Sequence, residues 1–487
     1  MFWELFDLFN RVFGILWWIG LVIIIGILFG QRKSPESTLI WATLILVLPG
    51  IGILLYLLIG VDLSKTRMFR QKDKDEKAFY QRAIKRTEKI NSGEYIYNDL
   101  ESYKYEPLIK TVINNGYTEY TEKNSVDLFF EGNELLEALL EDINNAKHSI
   151  FIQSYIISSG YHLEKVSEAL IKKAKEGLDV RILVDGLGGR KFKKKDRERL
   201  IENGIKIAFF FPPFLKYFTL RINFRNHRKI YIIDNKIGYV GGFNIGDEYL
   251  NRDPEKGFWR DTHARIVGES INDLINRFYL DYKFATGDSA GAYQTYVEEL
   301  DDNQNVAVSI VSSGPESELE QIRDGFQKMI NLAKHRIYIQ TPYFVPDDGL
   351  MKSLIMACYS GVDVRIMVPK KPDHPFVVSA SRSYLGQLLE HGAKVYYYKN
   401  EGFLHSKMIL VDDYITTVGT TNFDVRSFGL NFEVNAFIFD FEVNHENARQ
   451  FDEDILNCEK YTFIDYKNRP TIKRISESIS RLLSPLL

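Results

Sequence analysis

Residues 226–234 read NHRKIYIID, and residues 404–412 read LHSKMILVD. Both carry His-x-Lys-x4-Asp, 178 positions apart, in a chain with only nine histidines. Residues two apart on an extended strand point to the same side, so His227 shares a face with Lys229, and His405 with Lys407. The apolar runs that follow, Ile230 to Ile233 and Met408 to Val411, read as buried strands. Asp234 and Asp412 close those runs, and NKIG after Asp234 reads as a turn. The tails repeat as well: after six intervening residues come GGFN at 241–244 and GTTN at 419–422.

Moving outward, the same doubling continues. AKHSIFIQSYI at 146–156 returns as AKHRIYIQTPY at 333–343, GLDVRILVDG at 177–186 as GVDVRIMVPK at 361–370, and NGIKIAFF at 203–210 as HGAKVYYY at 391–398. Matched segments in the same order indicate an internal duplication. Helical stretches at 161–176 and 348–360 separate strands, which predicts α/β halves with mixed, mostly parallel sheets flanked by helices. Each half would bring one motif to a shared active site. The expected boundaries are 125–300 and 301–487, after a linker region at 63–124 that looks like a charged helix without chemistry of its own.

Two imidazoles with lysines and asparagines suit a phosphate ester: the rings can attack and shuttle protons, while the polar groups hold non-bridging oxygens. Asn244 and Asn422 would supply neutral donors, and the small residues before them allow close approach of backbone. Zinc fits poorly, because each histidine has a lysine two residues on and neither has a second His or a Cys pair nearby. A duplicated structural strand remains the bland alternative for one copy, but two copies with matching tails favour phosphoryl chemistry. No metal and no cofactor are expected. Cys358 and Cys458 match no redox or metal pattern.

The first sixty residues differ from the rest. Residues 12–30 and 38–60 contain no charge, and each is long enough as a helix to cross a hydrocarbon layer of about 30 Å. They predict a transmembrane helical hairpin within 1–62, with Pro49 a candidate kink in its second helix. Lys65, Arg67 and Arg70 follow it, which favours a cytoplasmic body.

The paired stretches HRKIYIIDNKIGYVGGFN and HSKMILVDDYITTVGTTN resemble the signature of the phospholipase D superfamily. NIGDEYLN at 244–251, FWRDTHARIVG at 258–268, TPYFVPDD at 341–348 and SFGLNFEVN at 427–435 extend the likeness to bacterial cardiolipin synthases. The resemblance implies a bacterial membrane enzyme that passes the phosphatidyl group of one phosphatidylglycerol to another. It implies a phosphohistidine on His227 and acid–base work by His405. Asp261 and Glu433 match the acidic partners of the histidines. The catalytic set is then His227, Lys229, Asp234, His405, Lys407 and Asp412, although the two motif aspartates suit a role in local folding better. One departure is Gly242 where the second copy has Thr420.

FFFPPFLKYFTL at 209–220 is either a buried loop or a lipid-facing one, with Phe211 and Phe214 as candidate contacts and Arg221 and Arg225 beside them for anionic headgroups. The closing TIKRISESISRLLSPLL spaces Ile472, Ile475, Ile479 and Leu482 like one stripe of a helix, which suits either the body or a membrane. Water could replace the lipid alcohol, giving a hydrolase that releases phosphatidic acid. A nuclease fits less well with a net charge of -3 and no extended basic tract, so no nucleic acid partner is expected. A non-enzymatic membrane scaffold would have no need of two His-Lys-Asn sets. Oligomeric state is not legible.

Overall fold

The structure is a computed structural model, and it describes residues 2–30, 35–56, 83–116, 118–211, 224–288, 305–317, 319–370, 375–399 and 402–483. The chain divides into two compact units. In the first, α1 (Phe2–Gly30), α2 (Pro35–Val47) and α3 (Pro49–Leu55) are helices. Pro49 interrupts rather than kinks: Leu48 leaves the helical region at φ -131° and Pro49 opens α3. Proline lacks an N–H and crowds the residue before it, which explains the break. Gly20 lets α1 approach α2, since a Cβ there would lie 2.7 Å from Ile45. Trp41 and Ile45 are covered, whereas Ile15, Trp18, Val22 and Ile51 are exposed. Among the described residues no helix is long and apolar enough to cross a membrane.

The second unit holds two large sheets and two two-stranded pairs. The first contains β1 (Asn124–Phe129), β2 (Ser149–Ser154), β3 (Asp179–Asp185), β4 (Lys206–Phe210), β6 (Ile230–Ile233), β7 (Ile237–Gly241) and β9 (His263–Gly268), in the order β1-β9-β7-β6-β2-β3-β4. The second contains β10 (Ala307–Ser313), β11 (Arg336–Gln340), β13 (Asp363–Pro369), β14 (Lys394–Tyr398), β16 (Met408–Val411), β17 (Ile415–Gly419), β19 (Asn431–Phe439) and β20 (Cys458–Tyr461), in the order β10-β19-β17-β16-β11-β13-β14-β20. Apart from the added edge strand β20, the two orders are the same. The repeat in sequence is a repeat in topology.

The sheets are mixed but not mostly parallel, contrary to the expectation. Along these two strand orders, parallel pairing is confined to β2–β3–β4 and β11–β13–β14. The other neighbours pair antiparallel. The strand–helix–strand units seen in sequence account for the parallel part. Past each motif the connection is a tight turn, too short for a crossover, so the chain must return antiparallel. Asp234 and Asn235 make that return at φ 55° and 53°, a left-handed conformation that short polar side chains tolerate.

Helices flank both sheets because their apolar residues recur at helical spacing. In Gly132–Asn145 the buried side chains include Leu135, Leu136, Leu139 and Ile143. The expected helices at 161–176 and 348–360 are Tyr161–Lys175 and Asp348–Tyr359, the second capped by Asp347. Glu106–Gly116, inside the stretch read as a linker, buries Leu108, Ile109, Val112 and Ile113 in the core of the second sheet. Two short parallel bridges join the repeats: β5 (Arg225–Asn226) pairs with β19, and β15 (Gly402–Leu404) pairs with β8 (Phe258–Arg260).

Candidate active site

Each bridge ends at a motif histidine. The His227 N–H donates to the Phe432 carbonyl at 3.0 Å, and the His405 N–H donates to the Arg260 carbonyl at 2.7 Å. Each ring is therefore seated on the repeat that does not supply it. The side chains cross in the same way. His227 Nδ1 lies 3.0 Å from Glu433 Oε2, and His405 Nδ1 lies 2.6 Å from Asp261 Oδ2. Gly241 pairs with His263 and Gly419 with Asn435, so Asp261 and Glu433 hold equivalent positions, two residues before those partners. The halves have exchanged carboxylates.

Both carboxylates are fully buried. Burial raises the Asp261 pKa, but Lys407 and His405 outweigh it and hold the group below its usual range. Burial acts the same way on Glu433, and His227 with Lys229 and Thr420 brings it down. The rings move in the other sense. Burial lowers His227 below its usual value and takes His405 to about 4, with Lys407 adding to the second shift. A neutral ring whose Nδ1 faces a carboxylate carries its hydrogen there, leaving the Nε2 lone pair available. Lys229 Nζ donates to the His227 carbonyl at 2.8 Å, and burial pulls its pKa to about 7. Lys407 Nζ donates in the same way to the His405 carbonyl.

One cavity of ≈ 630 Å³ is lined by both histidines together with Asn244, Asn422, Tyr155 and Trp259. The Tyr155 ring centroid lies 4.9 Å from that of His227, and the Trp259 centroid 5.1 Å from that of His405. Asn244 is held from two sides: its Oδ1 accepts from the Ile156 N–H at 3.0 Å, and its Nδ2 donates to Tyr249 Oη at 2.7 Å. Among the described residues, the Asn422 amide oxygen and Trp259 Nε1 are buried without a hydrogen-bond partner. Such groups gain most from a bound polar ligand. Arg225 and Arg426 line the cavity too, with Glu248 across the repeat at the position matching Arg426.

The expected residues separate into two groups. His227, His405, Asn244 and Asn422 meet at the cavity, with Lys229, Lys407, Asp261 and Glu433 packed around the rings. Asp234 and Asp412 do not line the cavity. Asp234 accepts the backbone N–H groups of Lys147, His148 and Ser149, and Asp412 those of Lys334, His335 and Arg336. They tie each motif turn to the start of the neighbouring strand. Phe211 is half-buried and packs among Phe210, Phe284 and Phe432, with centroids 4.8, 5.6 and 6.1 Å away. Arg225 is a cavity residue. Phe214 and Arg221 lie outside the described residues.

A buried layer beneath the motifs escaped the sequence reading. Arg228 donates from Nη1 to both oxygens of Asp281 at 2.8 and 2.7 Å, and Gln153 donates to Asp281 at 2.8 Å. In the other repeat Asp454 accepts from Gln340 at 2.7 Å and, across the repeats, from Arg260 at 3.0 Å. The available signal was Gln153 and Gln340 at matched positions inside otherwise apolar strands.

Comparison with known proteins follows this geometry. A family profile described as "Cardiolipin synthase, PLD-like domain" matches residues 139–278 and 326–455, and one described as "Phospholipase_D-nuclease N-terminal" matches residues 15–60. The chain is 43% identical to the major cardiolipin synthase of Bacillus subtilis over 96% of its own length and 97% of the relative's. It is 42% identical to a cardiolipin synthase of Clostridium perfringens, covering 94% of this chain and 95% of that one. Among solved structures, phosphatidylserine synthase of Haemophilus influenzae shares the fold with a TM-score of 0.61 at 15% identity, over 80% of this chain and 97% of that one.

Proposed function

This chain belongs to the cardiolipin synthases built on paired phospholipase D-like domains, and from that premise we propose that it transfers a phosphatidyl group from one phosphatidylglycerol to another. The products are cardiolipin and glycerol. The observation that carries the reading is the pair of histidines in one cavity, each set on the other repeat's carboxylate.

His227 Nε2 attacks phosphorus, forming a P–N bond as the P–O bond to glycerol breaks. His405, protonated when the anionic phosphodiester arrives, gives its proton to the departing glycerol oxygen. The hydroxyl of a second phosphatidylglycerol then yields its proton to His405 and attacks phosphorus, and the P–N bond breaks. Glu433 and Asp261 orient the rings and offset the imidazolium charge as it forms. Asn244, Asn422 and the Trp259 N–H suit the non-bridging oxygens, while Lys229 and Lys407 place positive charge beneath them. The wider assignment treats residues 1–62 as a membrane hairpin, 63–124 as a connection on the cytoplasmic side, and 125–300 and 301–487 as the two catalytic halves. The charge-free runs at 12–30 and 38–60, the profile match at 15–60 and the exposed apolar side chains of α1 support the anchor.

The test supplies detergent-solubilised protein with pure phosphatidylglycerol and follows glycerol and lipid products together. Cardiolipin and glycerol in equal amounts are expected. Phosphatidic acid as the main product would replace transfer with hydrolysis.

A further inference from the structure

The helix Thr471–Leu483 is mounted the wrong way round for a soluble body. A surface helix ordinarily turns its apolar stripe inward and its polar face to water. Here the covered residues are Glu477 and Ser480, exposed by 3% and 1%. Glu477 accepts from Arg469 Nε at 2.6 Å, and Arg481 lies over the Tyr384 ring at 4.8 Å. Ser476 meets Ser379 at 3.4 Å, so the polar side of this helix rests on the helix Pro375–Glu390. The apolar side looks outward: Ile472, Ile475, Ile479 and Leu482 are exposed by 72%, 51%, 51% and 72%. Their spacing of three, four and three residues makes one continuous stripe. Ile464, just upstream, is exposed as well.

The charges around the stripe say what covers it. Lys473, Arg474 and Arg481 are exposed on this helix, and its single acidic residue, Glu477, is buried in the pair with Arg469. An apolar stripe flanked by cations fits the boundary between acyl chains and anionic headgroups. The seat of the helix gives the contact a use. Pro375–Glu390 also carries Val377, which lines the catalytic cavity. The outward stripe and one wall of the cavity are thus mounted on the same helix.

We infer that Thr471–Leu483 lies on an anionic lipid surface through Ile472, Ile475, Ile479 and Leu482, holding the cavity against the bilayer that contains its substrate. This rests on the reading of the chain as an enzyme of membrane lipids. The stripe docks in the plane of the membrane, separately from any anchor at the N-terminus.

The test uses the full chain with Ile472, Ile475 and Ile479 all changed to Ser, which leaves the buried Glu477 and Ser480 and the pair with Arg469 in place. Turnover is compared on phosphatidylglycerol in vesicles and on a short-chain phosphatidylglycerol dispersed as monomers. A loss on the order of tenfold in kcat/KM on vesicles is expected, with unchanged turnover of the monomeric lipid. Equal rates with variant and parent on vesicles would overturn the inference, and so would equal losses on both substrates. A variant that changes oligomeric state in detergent while keeping its vesicle rate would assign the stripe to a second copy and overturn it too. If the parent turns over neither lipid, the functional reading fails instead. As a direct readout, a nitroxide at Ile475→Cys, with both native cysteines replaced by Ser, should be more accessible to oxygen than to a water-soluble nickel complex on vesicles.

Discussion

The two repeats share one strand order and place equivalent carboxylates at Asp261 and Glu433, yet they differ where those carboxylates meet the chain. In the first, Gly242 is required by space, because a Cβ there would lie 1.9 Å from Asp261 Oδ1. In the second, the equivalent Thr420 donates its hydroxyl to Glu433 Oε2 and is itself buried. A short carboxylate goes with glycine, and a longer one with a hydroxyl that steadies it. The arginines differ as well. Asp281 and Asp454 are matched acceptors, but both of their arginines, Arg228 and Arg260, come from the first repeat. The motif position equivalent to Arg228 holds Ser406, which meets Thr262 at 2.8 Å. Duplication supplied the site twice, and later changes made the copies interdependent.

The sharpest way to break the symmetry is to remove one ring at a time. His227→Ala and His405→Ala should each lower cardiolipin formation by about 10⁴-fold or more. With a donor whose leaving group needs no proton, His405→Ala should still trap a phosphoenzyme on rapid quench, and His227→Ala should not. The reverse pattern would exchange the two roles. Next come the crossed carboxylates. Glu433→Gln should impair the chemistry of His227, and Asp261→Asn that of His405, each by about 10²–10⁴-fold in kcat with little change in KM. If Asp261→Asn instead abolished phosphoenzyme formation while Glu433→Gln spared it, the crossing would be wrong in solution.

The glycine–threonine difference predicts unequal costs. Gly242→Thr pushes directly on Asp261 and should lower kcat by about 10²-fold, whereas Thr420→Gly removes one hydrogen bond and should cost about tenfold. Equal effects on steady-state rates would remove the steric explanation. On stability, Arg228→Met leaves Asp281 buried without its guanidinium, and a loss of roughly 3–5 kcal/mol is expected in denaturant melts. Arg260→Met should act similarly through Asp454, but on the second repeat. Hydrogen exchange would show which sheet loosens first.

The smallest effect concerns acid. Burial takes His162 to about 4, His263 to about 3 and His405 to about 4, all below the usual value for histidine. A depressed folded-state pKa means the unfolded chain binds the proton more readily. Stability is therefore complete above pH 6.5 and is lost as pH falls from there toward 3–4. The melting temperature should drop by on the order of 10 °C across that window. Among the described residues both His263 ring nitrogens are buried without a hydrogen-bond partner, and its counterpart in the other repeat is Asn435. His263→Asn should flatten the acid limb of the melting curve, and an unchanged slope would move the proton to another group.

Much of this is legible in the sequence. Four matched segments implied duplication, the spacing of His227 and Lys229 implied one strand face, and the small residues at 241–244 and 419–422 marked the second half of each motif. The sequence overstates the parallel share because the helical segments at 161–175 and 348–359 are conspicuous, whereas a turn of a few residues after Asp234 leaves a weak trace. That Phe211 packs on Phe284 and Phe432 is not legible either, because hydrophobic composition does not say which way a ring points. The Arg228–Asp281 and Arg260–Asp454 pairs were invisible because their members lie far apart in sequence, and an arginine beside a motif reads first as surface charge.

By itself, the sequence determined the chemistry: which side chains recur, at what spacing, and for what kind of substrate. Strand periodicity and local residue type encode those facts within a few positions. Only the tertiary structure decided that His227 leans on Glu433, that His405 leans on Asp261, and that the last helix turns its isoleucines outward. Those are relations between segments brought together by burial of two sheets and by short bridges across the repeats, and no local pattern records them.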